Sequence, residues 1–179
     1  MAGPVETEIK LRMAGPEAAR AAVARLGARL QKPRHFEDNL LLDDRAGSLR
    51  AAGSILRLRR VPEGGILTHK GPRLSAAGLK SRVEREARVA DPDALQEILE
   101  QLGLRKIFRY QKYRETYEWR GQEIVVDETP IGTFLEIEGD PEGIHAAASA
   151  LGYGPSDYLS DSYAGLFLAA GGRGDMVFP

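Results

Sequence analysis

Residues 5–13 alternate: Glu6, Glu8, Lys10 and Arg12 hold one parity, and the other is mostly apolar, with Val5, Ile9, Leu11 and Met13. A period of two sends successive side chains to opposite faces of a β-strand, so this stretch predicts a strand with one ionic and one apolar face. The same alternation recurs in residues 55–61, 79–89, 108–119, 123–128 and 134–138. Residues 36–43 read as a further strand, ended by Asp43-Asp44-Arg45-Ala46-Gly47. A turn at Pro62-Glu63-Gly64-Gly65 makes residues 66–70 the second arm of a hairpin. Smaller turn signals stand at Ala51-Ala52-Gly53, Gly121 and Pro130-Ile131-Gly132, and residues 71–78 read as a flexible loop.

Helical spacing appears between these strands. Gly15-Pro16 opens a helix whose apolar stripe is Ala18, Ala19, Ala22, Val23, Leu26 and Leu30. Asp91-Pro92 pairs an N-cap with proline at the first helical position. The helix it starts runs through Leu95, Ile98, Leu99 and Leu102 and stops at Gly103. Asp140-Pro141-Glu142 repeats that start, with a helix to Gly152. Residues 158–170 read as a last helix and 171–179 as a loose tail. With no low-complexity linker and no break in composition, residues 1–179 form one domain with its core at about 5–168. Short hairpins predict a largely antiparallel sheet, and helices covering its apolar face make the fold α+β.

The two parities divide the chemistry cleanly. Ile9, Leu11, Leu56, Leu58, Val83, Val89, Ile124, Val126, Leu135 and Ile137 belong beneath helices. The other parity carries Glu6, Glu8, Lys10, Arg57, Arg59, Lys70, Glu84, Glu86, Arg88, Lys112, Arg114, Asp127, Glu136 and Glu138. An open sheet with one solvated face would mix serine, threonine and amides among its charges. This parity is almost purely carboxylate and cation, and such a sheet can close into a β-barrel with a charged lumen and its helices outside.

Composition narrows the chemistry. The 179 residues include 25 basic and 26 acidic ones, a net charge of −1, which argues against a nucleic-acid partner while allowing a locally basic pocket. The absence of cysteine excludes disulfides, thiolate metal sites and a cysteine nucleophile. No secretory signal is visible, and the longest apolar stretch, near residues 164–170, is too short to span a bilayer. The expectation is a cytoplasmic protein with no membrane partner; a homodimer would be ordinary for such a domain. His35, His69 and His145 lack zinc-site spacing, and Ser160 and Ser162 lack a His-Asp partner pair. Tyr110, Tyr113, Tyr117 and Trp119 read as packing beneath a helix rather than as a ligand platform.

So many inward charges require counter-charges. Two Glu-x-Glu pairs and Asp127 make an oxygen-only set suited to Mg²⁺ or Mn²⁺. Lys10, Arg57, Arg59, Lys70, Lys112 and Arg114 need anions. A small-molecule triphosphate fits them, with arginine forks gripping oxygens and lysines acting as point charges.

Glu6-Thr7-Glu8-Ile9-Lys10 resembles the Glu-x-Glu-x-Lys signature of the CYTH family, the triphosphate tunnel metalloenzymes. The resemblance continues in order through Leu56-Arg57-Leu58-Arg59, Thr68-His69-Lys70-Gly71-Pro72 and Arg82-Val83-Glu84-Arg85-Glu86. It then takes in Lys112-Tyr113-Arg114, Val126-Asp127, Phe134-Leu135-Glu136-Ile137-Glu138-Gly139 and Ser162-Tyr163. The Lys-Gly-Pro and Phe-Leu-Glu-Ile-Glu forms are most similar to the class IV adenylyl cyclase-like branch. The resemblance implies an eight-stranded antiparallel tunnel, divalent metals and chemistry on triphosphates. Carried over by position, it makes Lys10, Arg57, Arg59, Lys70, Lys112 and Arg114 the substrate clamps. Glu6, Glu8, Asp127, Glu136 and Glu138 become metal ligands or their neighbours. Glu84, Glu86 and Asp127 form the catalytic set, with Glu84 and Glu86 orienting the cations or a water. One position departs from the pattern: some members carry a late lysine, and this chain has none after Lys112, leaving Arg173 or Tyr163 in its place.

Two reactions suit such a tunnel. Hydrolysis of tripolyphosphate, thiamine triphosphate or a nucleoside triphosphate asks only for the tunnel and is favoured. Cyclisation of ATP to cyclic AMP and pyrophosphate is the alternative that the branch resemblance supports. A non-catalytic polyphosphate or nucleotide sensor would be hampered by so many carboxylates. A lipocalin-like carrier would need the apolar parity inside.

Overall fold

Every alternating stretch forms a strand in the computed structural model, which describes residues 4–76 and 79–179. The strands are β1 (Val5–Met13), β2 (Arg29–Asp43), β3 (Ile55–Val61), β4 (Gly64–Ala76), β5 (Leu79–Val89), β6 (Arg105–Trp119), β7 (Gln122–Thr129) and β8 (Gly132–Glu138). Hydrogen bonding joins them in the order β1-β5-β4-β3-β2-β6-β7-β8 and back to β1, an antiparallel ring without a break. The last pairing sets Lys10 against Glu136 and Glu8 against Glu138, bringing the two ends of the motif set together.

Five helices surround the ring: α1 (Pro16–Leu26), α2 (Ser48–Ala51), α3 (Pro92–Gln101), α4 (Pro141–Ala150) and α5 (Tyr163–Ala169). Asp91 caps α3 by accepting from the backbone N–H groups of Asp93 and Ala94, and Asp140 caps α4 through Gly143. The apolar parity faces outward, as the pattern requires. Ile9, Leu11, Ile124, Val126, Leu135 and Ile137 are buried with Ala19, Ala22 and Val23 of α1 and Ile144, Ala147 and Ala148 of α4. A second cluster joins Leu40, Leu42 and Leu58 to Leu99 of α3. Two separate helix-covered cores therefore brace opposite sides of the ring, which leaves the ionic parity for the lumen.

A third apolar cluster has no counterpart in the sequence reading. Phe108, Tyr110, Phe134, Tyr163 and Met176 pack together, with Phe167 and Leu159 against them. Phe108, Tyr110 and Phe134 lie on the lumen parity of β6 and β8, so this cluster fills one end of the ring beneath α5.

Several expectations change. The first helix ends at Leu26, because Gly27 adopts a left-handed backbone (φ 74°), and Leu30 falls on β2 where it is exposed. β2 begins seven residues before the expected strand; its early part is irregular around Pro33, which lacks an N–H to pair, so alternation is blurred there. A one-turn helix, α2, follows Gly47. β4 continues through Ala76 with a register shift at Gly71-Pro72, so most of the expected 71–78 loop is strand; residues 77–78 lie outside the described residues.

The expected helix at 158–170 starts only at Tyr163, capped by Ser162. Leu159 before it instead exchanges backbone hydrogen bonds with Lys10, at 2.9 and 3.2 Å. The tail is not loose: Met176 exchanges backbone hydrogen bonds with Arg109 and Gln111, both 2.9 Å, and is 1% exposed. Both segments cover strand edges that the ring's stagger leaves unpaired, on β1 past β5 and on β6 past β7. No helix of the described residues is long and apolar enough to cross a membrane.

Candidate functional site

The lumen encloses a cavity of about 290 Å³. Its walls include the six clamp residues Lys10, Arg57, Arg59, Lys70, Lys112 and Arg114, and the carboxylates Glu6, Glu8, Glu84, Glu86, Glu136 and Glu138. Asp127 lies behind this wall with no exposed surface. All the residues singled out for the site therefore converge on one place. The reason is geometric: each sits on the parity opposite a helix-covered apolar row, and a closed ring gives that parity a single destination.

Along the wall built from β1, β8, β7 and β6 the side chains change in order from aromatic to cationic to acidic. On β6 the sequence is Phe108, Tyr110, Lys112, Arg114; on β8 it is Phe134, Glu136, Glu138. In the middle zone Asp127 anchors the cations. Lys112 Nζ donates to its Oδ2 at 2.8 Å, Arg114 grips both oxygens at 2.7 and 2.5 Å, and the Tyr163 hydroxyl donates at 2.7 Å. Arg114 also reaches Glu136 at 2.5 Å, and Lys10 bridges Glu8 and Glu136 at 2.9 and 3.0 Å. Burial alone would raise the Glu136 and Glu8 carboxyls, but Lys10 beside both, with Arg114 and Lys112 near Glu136, holds them well below the usual range.

Across the lumen, Arg59 donates to Glu37 at 3.1 Å and to Asn39 at 3.2 Å. Arg57 donates to Thr68 at 3.1 Å and reaches Glu86 at 3.4 Å, while Thr68 donates to Glu86 at 2.6 Å. Arg57 Nε is buried and, among the described residues, has no hydrogen-bond partner. Lys70 pairs with Glu84 and lies 3.6 Å from Glu6.

The acidic zone has the opposite shortage. Burial, a hydrogen bond with Glu84 and the charge of Glu138 push the Glu6 carboxyl up to about 8. Burial together with Glu123, Glu8 and Glu136 pushes Glu138 up to about 7. These carboxylates are crowded for want of positive charge, and an all-oxygen donor set of this kind fits a hard divalent cation. Among the described residues no three such side chains converge as a ready-made cage. A Mg²⁺ ion does not need one, since it commonly takes one or two carboxylates and completes its shell with water and phosphate oxygens.

Three lumen residues were missed. Lys80 lines the cavity and pairs with Glu8; Glu123 lines it opposite Glu138; Glu37, 1% exposed, holds Arg59 and faces Lys112 at 3.6 Å. Parity alone could have found them: Lys80 shares that of Glu84, Glu123 that of Asp127, and Glu37 that of Asn39. Lys80 is also a cation absent from the expected set, whereas Arg173 is exposed on the tail and Tyr163 is tied to Asp127. The aromatic residues divide. Tyr117 and Trp119 pack against the α1–α4 core, and Tyr113 lies between Phe36, Phe178 and Arg34. Tyr110, on the other parity, points into the lumen. His69 is exposed.

The CYTH domain family profile matches residues 5–153. A Methanocaldococcus jannaschii protein named as a candidate adenylate cyclase is 26% identical over 135 residues, covering 75% of this chain and 76% of its own. A Vibrio parahaemolyticus structure, also described as a candidate adenylate cyclase, superposes with a TM-score of 0.80 at 22% identity over 93% of this chain and 99% of that one. A Hippeastrum protein described as a candidate adenylyl cyclase with a dominant triphosphatase activity superposes with a TM-score of 0.71 at 23% identity, covering 94% and 97%. At those identities the two structures speak to the fold: an antiparallel tunnel with helices outside.

Proposed function

The chain belongs to the CYTH family, and from that membership we propose that its lumen binds a small triphosphate and acts on it as a divalent-metal-dependent phosphohydrolase. The observation that carries this reading is the paired shortage in the lumen. Among the described residues Arg57 Nε is buried without an acceptor, while Glu6 and Glu138 are crowded by other carboxylates, with Lys70 as their shared nearby cation. A metal-bound triphosphate supplies both missing charges at once.

In this reading Lys10, Arg57, Arg59, Lys70, Lys112 and Arg114 hold the phosphate oxygens. Arginine forks fix their orientation, and catalysis is mainly positioning and electrostatics. Asp127 serves by holding Lys112 and Arg114 in place, and Glu84 and Glu86 by holding Lys70, Thr68 and Arg57. Mg²⁺ or Mn²⁺ bound by Glu6, Glu8, Glu136 or Glu138 would neutralise phosphate charge. Water attacks the terminal phosphorus; the new P–O bond forms as the bridging P–O bond breaks, its electrons stay on the bridging oxygen of the departing diphosphate portion, and the water's proton passes to solvent, leaving inorganic phosphate.

Hydrolysis is the first reading because it asks only for the charged tunnel, whereas cyclisation also needs groups beyond the tunnel mouth that hold the base and ribose of ATP. Cyclisation of ATP is the second reading, supported by the name of the M. jannaschii relative. There the ribose 3′-hydroxyl would attack the α-phosphorus and pyrophosphate would leave.

The test is a panel of tripolyphosphate, thiamine triphosphate and ATP, each with Mg²⁺ and with Mn²⁺, assayed separately for phosphate, pyrophosphate and cyclic AMP. Phosphate release from tripolyphosphate supports hydrolysis. Cyclic AMP with stoichiometric pyrophosphate would transfer the reading to the cyclase, and no product from any substrate would end it.

A further inference from the structure

Two tyrosines meet at the aromatic end of the lumen, their ring centroids 6.3 Å apart, and their hydroxyls have different fates. Tyr163 donates to Asp127, and burial with the charges of Asp127 and Glu136 raises its phenol well above the usual range. Its hydroxyl is committed to the protein. Tyr110 also has a buried ring, stacked on Phe108 at 6.1 Å, but its hydroxyl turns toward the cations. It accepts from Arg57 Nη1 at 3.5 Å, and among the described residues no acceptor takes its own proton. Lys112 and Arg59 add to the positive surroundings, and Tyr110 lines the cavity. Burial by itself would raise this phenol; Arg57, Lys112 and Arg59 outweigh it and bring Tyr110 below its ordinary value.

A hydroxyl among three cations, with a free proton and a cavity in front, lacks an anionic acceptor. Among the described residues Arg57 Nε beside it lacks one too. We propose that Tyr110 is a substrate-contacting residue whose hydroxyl donates to a phosphate oxygen at the cationic end of the lumen, while Tyr163 only positions Asp127. This rests on the triphosphate reading and adds a neutral donor to its charged clamps. It also seats the innermost phosphate against the aromatic cluster, with the rest of the substrate extending toward the carboxylates.

Tyr110→Phe is a clean test because it keeps the ring and removes only the hydroxyl. Binding of inorganic tripolyphosphate, followed by titration calorimetry, should weaken about ten-fold or more, the usual scale for a hydrogen bond to a charged group. The melting temperature of the free protein should stay at the wild-type value. Tyr163→Phe should show the reverse: a lower melting temperature and a much smaller loss of affinity.

A second readout uses the wild type alone. The lowest tyrosine ionisation, followed by ultraviolet difference absorbance, should move to higher pH when tripolyphosphate neutralises the cations around Tyr110. It decides the matter if Tyr110→Phe does not fold. Wild-type binding that Tyr110→Phe leaves intact, or a tyrosine ionisation that tripolyphosphate leaves in place, would overturn the Tyr110 assignment alone. A wild-type protein that binds no tripolyphosphate would remove the triphosphate reading and this assignment with it.

Discussion

The Tyr163 hydroxyl donates to Asp127 Oδ2 at 2.7 Å inside the lumen, joining a helix near the end of the chain to the carboxylate that holds Lys112 and Arg114. Asp127 is fully buried, so its charge and those of its cations are mutually dependent. Breaking a buried pair by removing one partner costs about 3–5 kcal/mol, because the remaining charge stays buried. Asp127→Asn should lose stability near the lower figure, since Arg114 keeps Glu136 and Lys112 keeps Glu37. Tyr163→Phe should lose less, about 1.5–3 kcal/mol, the scale of a hydrogen bond to a charged group, because no charge is left without its ion-pair partner. Urea denaturation compares the two, and equal losses would contradict this ordering.

Glu136 and Arg57 should fail in different ways. Glu136 contacts Lys10 and Arg114 and belongs to the candidate metal set, so Glu136→Gln should lower kcat by about a hundred-fold or more, the scale of losing one electrostatic stabiliser. Its effect on substrate binding should be smaller. Arg57→Ala removes a direct clamp and should raise KM as well as lower kcat. Steady-state kinetics with the preferred substrate and metal separate the two. If both variants keep wild-type kinetics, neither residue has its assigned role.

The acidic zone predicts an unusual pH dependence for metal-free protein. In the folded state Glu6 and Glu138 titrate near 8 and 7, above their unfolded values, so between about pH 5 and 8 the folded chain holds protons that the unfolded chain has lost. Stability from these two groups is therefore complete at low pH and declines as pH rises through 7 and 8. The melting temperature without metal should be lower at pH 8 than at pH 6. Added Mg²⁺ or Mn²⁺ should raise it more at pH 8, where the carboxylates are free to bind. A metal effect that is the same at both pH values would count against these carboxylates as the binding groups.

Met176 should matter more than its place in a glycine-rich tail suggests. Its side chain is buried with Phe108, Tyr110 and Tyr163, and its backbone pairs with β6. Replacing a buried methionine by alanine costs roughly 2–5 kcal/mol, so Met176→Ala should be clearly destabilised in urea. Asp175, paired with Lys106 and accepting from the Arg109 backbone at 2.8 Å, secures the same segment. A chain ending at Gly174 that melts like the full-length protein would show that the tail contributes nothing.

The sequence by itself determined the place of each strand, the starts of α1, α3 and α4, and the ionic and apolar faces of β1, β3, β5, β7 and β8. These follow from local rules: a pleat repeats every two residues, a helix every 3.6, and a cap acts within one turn. Lys10, Arg57, Glu84, Lys112 and Glu136 could be grouped because parity is a local property. Tertiary structure decided what parity cannot express. Lys10 meets Glu136 only because the ring closes between strands from distant parts of the chain. The same closure carries Lys80, Glu37 and Glu123 into the lumen. Tyr110 was grouped with outward-facing aromatics, yet an end of the lumen has to be filled, and the chain fills it with aromatic rings. The segments at Leu159 and Met176 read as helix and loose tail, because nothing local marks a strand edge that waits for a partner on the far side of the fold.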